Sequence, residues 1–96
     1  MKRRNDTTMA QAIDRLVDAY GLREKLDELE VASLWDEIVG GMVAKHTVAV
    51  KLRRGKLFIK VDSAPLRQEL TFMREALKTT VNSRMKREVV QEVLLD

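Results

Sequence analysis

L-W-D-E-I-V-G-G-M-V-A-K-H-T, from Leu34 to Thr47, runs directly into V-A-V-K-L-R-R-G-K-L-F-I-K-V, from Val48 to Val61. The second half alternates as a β-hairpin does. Val48, Val50 and Leu52 alternate with Ala49, Lys51 and Arg53; Leu57, Ile59 and Val61 alternate with Lys56, Phe58 and Lys60. A two-residue turn at Arg54-Gly55 pairs Leu52 with Leu57, Val50 with Ile59 and Val48 with Val61, which puts all six on one core face. Gly55 supplies the positive φ that a tight turn needs, although Arg54 is an unusual residue before it and a bulged three-residue turn is the alternative. In the first half Leu34, Trp35, Ile38, Val39, Met42 and Val43 share a helical face. Gly40-Gly41 weakens that helix, since each glycine costs about 1 kcal/mol relative to alanine, so a stop at Val39 and a last turn through Lys45 are expected.

Upstream, residues 1–5 read as a flexible basic arm. A first helix starts near Asp6–Thr8, any of which caps it, and carries Met9, Ile13, Leu16, Val17 and Tyr20 on one face. Gly21 ends it. A second helical region follows, with Leu22, Leu26 and Leu29 on its apolar face and a bend near Glu30–Ser33, where the phase slips. Downstream, Asp62 or Ser63 caps a helix with Pro65 in its first turn. Leu66, Leu70, Met73, Leu77 and Val81 form its apolar stripe; Arg67, Thr71, Arg74 and Lys78 run parallel to it. Asn82 to Arg87 reads as a linker and Glu88 to Asp96 as a final strand. If strands two and three are parallel neighbours, the intervening helix makes a right-handed crossover.

Ninety-six residues make one domain, 1–96. Cysteine is absent, which excludes disulfides and thiolate metal sites. Asn5-Asp6-Thr7-Thr8 stands where a signal peptide would need an apolar core, and no apolar run is long enough to span a membrane, so a cytoplasmic chain without membrane association is expected. The net charge of +3 is unevenly spread. Residues 1–46 carry a net −2, residues 47–87 a net +8 and residues 88–96 a net −3. A basic middle is the footprint of a polyanion partner, or simply a solvated face.

Catalytic chemistry finds no support. One histidine and no cysteine do not make a metal site. His46 reads as a turn or surface residue. Asp36 and Glu37 are sequential and point about 100° apart on a helix, so they are not a paired-carboxylate site. Neither a nucleophile elbow nor a phosphate-binding glycine loop occurs. A non-enzyme with no cofactor and no small-molecule substrate is expected. Trp35 reads as a core anchor in preference to a partner contact. Phe58, amid Lys51, Lys56 and Lys60, suits base stacking on single-stranded nucleic acid, unless helices cover it.

The ordered set Trp35, Gly40, His46-Thr47, Gly55, Leu57, Ile59, Val61, Ser63, Leu66, Glu69 and Leu70 resembles the DciA family of bacterial proteins. The resemblance covers about Leu29 to Leu95. It implies an α+β, KH-like fold: a three-stranded sheet with helices packed on one face, in the order α-α-β-β-α-β. It also implies work in DNA replication, loading or operating the replicative DNA helicase, together with DNA binding. The G-x-x-G clamp of RNA-binding KH domains does not occur here. Many members carry a long C-terminal extension implicated in helicase contact. This sequence ends at Asp96, so the expected helicase contact falls to the folded domain or the basic arm.

The resulting expectation is a DNA-binding adaptor with two partners, the replicative helicase and single-stranded or forked DNA. Phosphate contacts would come from Lys51, Arg53, Arg54, Lys56 and Lys60 on the hairpin and from Arg67, Arg74 and Lys78 on the helix, with Phe58 stacking. Two alternatives remain beside it: an RNA-binding module, and a protein-interaction domain for an acidic partner.

Overall fold

The computed structural model describes the backbone of residues 2–96 and the side chains of residues 8–96. The order is α1 (Lys2–Ala19), α2 (Arg23–Ser33), α3 (Trp35–Val39), α4 (Gly41–Lys45), β1 (Thr47–Arg53), β2 (Lys56–Val61), α5 (Ala64–Phe72), α6 (Arg74–Met85) and β3 (Glu92–Leu95). The strands form one mixed sheet in the order β1-β2-β3, antiparallel then parallel. Helices cover one face of it, which makes an α+β fold with α5 and α6 as the crossover. Residues 2–5, expected from sequence to be an arm, fall within α1.

The hairpin closes through a two-residue turn with both central residues at positive φ, Arg54 at 53° and Gly55 at 78°. This is the primed turn whose twist matches that of the strands. The Gly55 carbonyl accepts from the backbone N–H groups of Gln91 at 2.7 Å and Glu92 at 3.2 Å, so the same turn anchors the start of β3. Leu52 pairs with Leu57 and Val50 with Ile59, as the alternation requires. Val48 does not pair with Val61. A bulge puts Thr47 opposite Val61 and turns Val48 out to solvent at 59% exposure. The cause lies at Trp35. Its indole Nε1–H donates to Thr47 Oγ1 at 2.9 Å, and the Thr47 hydroxyl donates to the Val43 carbonyl at 2.8 Å. Thr47 is thereby drawn toward α3 and α4, and β1 takes up the extra residue. Trp35 is a core anchor, 5% exposed.

Trp35, Val31, Leu52, Leu57, Ile59, Val61, Leu70, Leu77, Val81, Met85, Val90 and Val93 make one continuous core. The helical segments break at Leu34, just past the bend expected near Glu30–Ser33, and at Gly40 with φ 86°. Gly21, at φ 66°, ends α1 in the left-handed conformation that glycine tolerates. Ser63 Oγ accepts from the Leu66 N–H at 3.3 Å and caps α5.

Four expectations change. The single helix after the hairpin is two, broken at Met73, which is 48% exposed and leaves the apolar stripe there. Residues 82–85 are helical, with Met85 buried. The final strand is shorter than expected, Glu92–Leu95. The segment before it is held by Asn82, whose Oδ1 accepts from the N–H groups of Val89 and Val90, each at 2.9 Å, and whose Nδ2 donates to the Val90 carbonyl at 2.9 Å. The fourth change is on α2. Leu22, Leu26 and Leu29 are exposed, whereas Asp27, Glu28 and Val31 are buried.

The reason for this inversion is the edge of β1. A sheet edge presents unpaired N–H groups that must find acceptors. Glu28 Oε1 accepts from the Leu52 N–H at 2.8 Å, Glu24 accepts from the Arg54 N–H, and Asp27 pairs with Arg87. Glu28 Oε2 also meets Lys25 Nζ at 2.8 Å. The lysine hydrogen bond, and then the Leu52 N–H, hold the Glu28 carboxyl below its ordinary 4.5 against the opposing effect of burial.

Glu28→Leu leaves the Leu52 N–H without an acceptor, and chemical denaturation should show the chain destabilised by about 1–3 kcal/mol. Because the Glu28 pKa is lower folded than unfolded, its stabilisation is complete above 4.5 and is lost as pH falls through the folded value. Glu28→Gln should therefore flatten the acid side of the stability profile below that pH. Separately, Lys86 sits in the left-handed region at φ 61° after α6, where a side chain is disfavoured. Lys86→Gly should raise stability by about 0.5–1 kcal/mol in the same measurement.

Candidate nucleic-acid interface

The face of the sheet turned away from the helices is open. Its middle row, set by register, is Lys51 on β1, Phe58 on β2 and Leu94 on β3. The row toward the turn is Arg53, Lys56 and Glu92; the row at the other end pairs Ala49 with Lys60. Strand geometry places Lys56 and Lys60 on either side of Phe58, each about 7 Å away along β2. Neighbouring strands stand about 4.8 Å apart, so Phe58 and Leu94 form one apolar platform. Phe58 is 37% exposed. The parallel pairing that brings Leu94 beside Phe58 has no local mark in the sequence, so sequence reasoning misses Leu94 as a site residue.

The cations of the hairpin are not equivalent. Among the described residues Lys51, Lys56 and Lys60 take part in no ion pair, and all three are exposed. Arg53 turns toward the edge, with Nη1 at 3.4 Å from Glu28 Oε1 and 3.3 Å from the Leu52 carbonyl. Arg54 is exposed in the turn. The sheet face is thus a lysine surface with an aromatic centre, and Glu92 stands on it at the end toward the turn.

Arg67, Arg74 and Lys78 are not brought to that face. They lie in the helical layer, and the break at Met73 separates Arg67 on α5 from the other two on α6. Arg67 is half-buried. Its Nη2 donates to the Val61 carbonyl at 3.4 Å, and its Nε is buried without a hydrogen-bond partner. Arg74 lines a shallow groove with Thr71, Phe72, Gln91 and Glu92. Lys78 meets Glu75 at 3.3 Å. His46 sits between α4 and β1, and its Nδ1 is 2.9 Å from Asp62 Oδ1. Among the described residues no cluster of histidine and carboxylates is arranged to hold a metal ion, and no helix is long and apolar enough to cross a membrane.

Residues 8–95 match the family described as Dna[CI] antecedent, DciA, nearly the whole of the chain. The chain belongs to the DciA family. Curated proteins and solved structures give no significant match. DciA membership connects the chain with loading of the bacterial replicative helicase. The match spans α1 through β3 from Thr8 onward, so both the helical layer and the lysine face lie within the family domain.

If Lys51, Lys56 and Lys60 are solvated surface groups with no part in the fold, the variant carrying alanine at all three should keep its unfolding free energy within about 0.5 kcal/mol per site. Thermal and denaturant unfolding of that variant against the parent chain measures it.

Proposed function

We propose that this DciA-family chain is a non-catalytic adaptor that holds DNA on its open sheet face while it engages the replicative helicase, and so helps place the helicase on DNA. The observation that carries the reading is the row of Lys51, Phe58 and Leu94 with Lys56 and Lys60 flanking it. Lysines free of internal ion pairs are available to phosphates, and an accessible aromatic ring offers a stacking surface to an unpaired base. The rigid strands hold these groups at fixed spacing, which reduces the ordering that binding requires. Arg54 extends the positive surface past the turn. Arg53 is partly engaged by Glu28 and contributes less. Arg74 and Lys78 form a separate basic area on the helices, and Arg67 acts mainly against the end of β2.

Such contacts give affinity that falls with salt and depends little on sequence. They favour single-stranded over duplex DNA, because stacking on Phe58 needs an unpaired base. The family's connection with the replicative DNA helicase makes DNA the preferred reading over RNA.

Fluorescence anisotropy with single-stranded and forked DNA across a salt series tests the proposal. Replacing Lys51, Lys56 and Lys60 with glutamine should weaken binding. It should also reduce the slope of log affinity against log salt by about 0.7 for each phosphate of a single strand that the variant no longer neutralises. Phe58→Ala should cost about 1–3 kcal/mol of affinity with little change in slope. Unchanged affinity and slope in the lysine variant would remove the sheet face from the function. Matched RNA oligomers that out-compete DNA would move the reading to an RNA-binding module. A helicase band that survives nuclease treatment in a pull-down supports direct contact; a band that disappears on treatment would mean that DNA alone joins the two.

A further inference from the structure

The open sheet face is divided by charge along its strands. On β3, register sets Glu92 beside Lys56 and Leu94 beside Phe58. The ladder then runs one residue past the strand. The Asp96 N–H donates to the Ile59 carbonyl at 2.9 Å, and the Asp96 carbonyl accepts from the Val61 N–H at 3.4 Å. Asp96 therefore stands beside Lys60. Alternation brings Glu92, Leu94 and Asp96 to one side of β3, the side that carries Phe58 on β2. On that side β3 presents a leucine between two carboxylates, whereas β2 presents a phenylalanine between two lysines. Lys51 and Arg53 continue the positive side onto β1.

The fold makes no visible use of the two carboxylates. Glu24 and Glu28 accept from the β1 edge. Glu92 and Asp96, by contrast, are exposed, and among the described residues their side chains take part in no ion pair or hydrogen bond. Their effect on a polyanion is set by distance. β1 and β3 lie two strand spacings apart, about 10 Å. That is about the reach of a charge at physiological salt. A single phosphate row laid along β1 meets Lys51 and the long side chains of Lys56 and Lys60, and stands at the limit of that reach. A duplex brings two rows, about 6 Å or 12 Å apart across its grooves. With one row over β1, the second falls close to β3, against Glu92 and Asp96. Like charges set opposite one another are a means of rejecting a wrong partner.

We propose that Glu92 and Asp96 are specificity residues of this face. They bar a second phosphate backbone and confine the face to one DNA strand, laid along the hairpin with its phosphates on the β1 side and its bases toward Phe58 and Leu94. This inference rests on the DNA reading above and adds to it what turns the duplex away. Stacking on Phe58 favours an unpaired base but does not by itself repel a paired one.

Fluorescence anisotropy with a mixed-sequence single strand, and with the duplex it forms with its complement, tests the assignment. Glu92→Gln combined with Asp96→Asn should lower the duplex dissociation constant about tenfold and the single-strand value by no more than about threefold, so that the preference for the single strand shrinks. Glu92→Lys puts a cation where the second backbone would fall. It should steepen the duplex slope of log affinity against log salt by about 0.9 and leave the single-strand slope as in the parent. Glu30→Gln combined with Asp36→Asn removes the same charge from exposed positions in the helical layer and should leave the preference unchanged. Every variant should unfold as the parent does, because the replaced side chains are exposed. A preference that stays the same in the Glu92 and Asp96 variant, or that shifts as far in the Glu30 and Asp36 variant, would overturn the proposal and leave the lysines as a DNA site. So would a parent chain that binds duplex as tightly as single strand. A parent chain that binds neither would overturn this proposal and the DNA reading together.

Discussion

The N–H of Leu52, at the edge of β1, is the constraint on which much of this small protein depends. A three-stranded sheet has two edges, and a buried edge amide without an acceptor is costly. Glu28 supplies the acceptor and is held ionised by Lys25 while doing so. To reach that position α2 lies along β1 with its acidic side inward and its leucines outward. The orientation of α2 then fixes where α1 departs, because Arg23 at its start grips Asp14 and Asp18. It also ties the turn to the helical layer through Glu24 and the Arg54 N–H.

The same economy governs the other end of the sheet. The Gly55 carbonyl accepts from both Gln91 and Glu92, so the hairpin turn becomes the landing point of the crossover. Asn82 bonds the segment that carries the chain there, which lets Val90 be fully buried without regular structure around it. With helices packed on one face and along the β1 edge, Lys51, Phe58 and Lys60 on the opposite face are exposed. Lysines keep that face solvated and keep a flat sheet from pairing with others; the proposed function gives them phosphates as well.

The hairpin is legible in the sequence because it rests on local rules: a two-residue alternation and a glycine in the turn. The helix breaks at Gly40 and after Gly21 are legible for the same reason, and so is Trp35 as an anchor, since a lone tryptophan in an aliphatic chain carries a large apolar area. The candidate site is legible only in part. Lys51, Lys56, Phe58 and Lys60 share a face by alternation alone. Leu94 is not, because parallel pairing joins residues far apart in sequence. The basic stripe of the third helix is real as a spacing but does not form one surface. The break at Met73 and the burial of Arg67 depend on how α5 and α6 meet the sheet.

Val48 and α2 show the limit most clearly. Alternation assigns Val48 to the core, and a hydrogen bond from Trp35 to Thr47, twelve residues on, moves it out. Periodicity assigns Leu22, Leu26 and Leu29 inward, and the needs of a strand edge turn them outward. The sequence by itself determined the family, the order of elements, the hairpin register near the turn and the alternation that makes one face of the hairpin basic. Those properties depend on neighbours along the chain. Only the tertiary structure decided which side of α2 is buried, where the bulge falls, that Leu94 stands beside Phe58 and that α1 keeps an apolar face free. The first three were settled by a polar group or strand that had to be satisfied by a partner well removed in sequence.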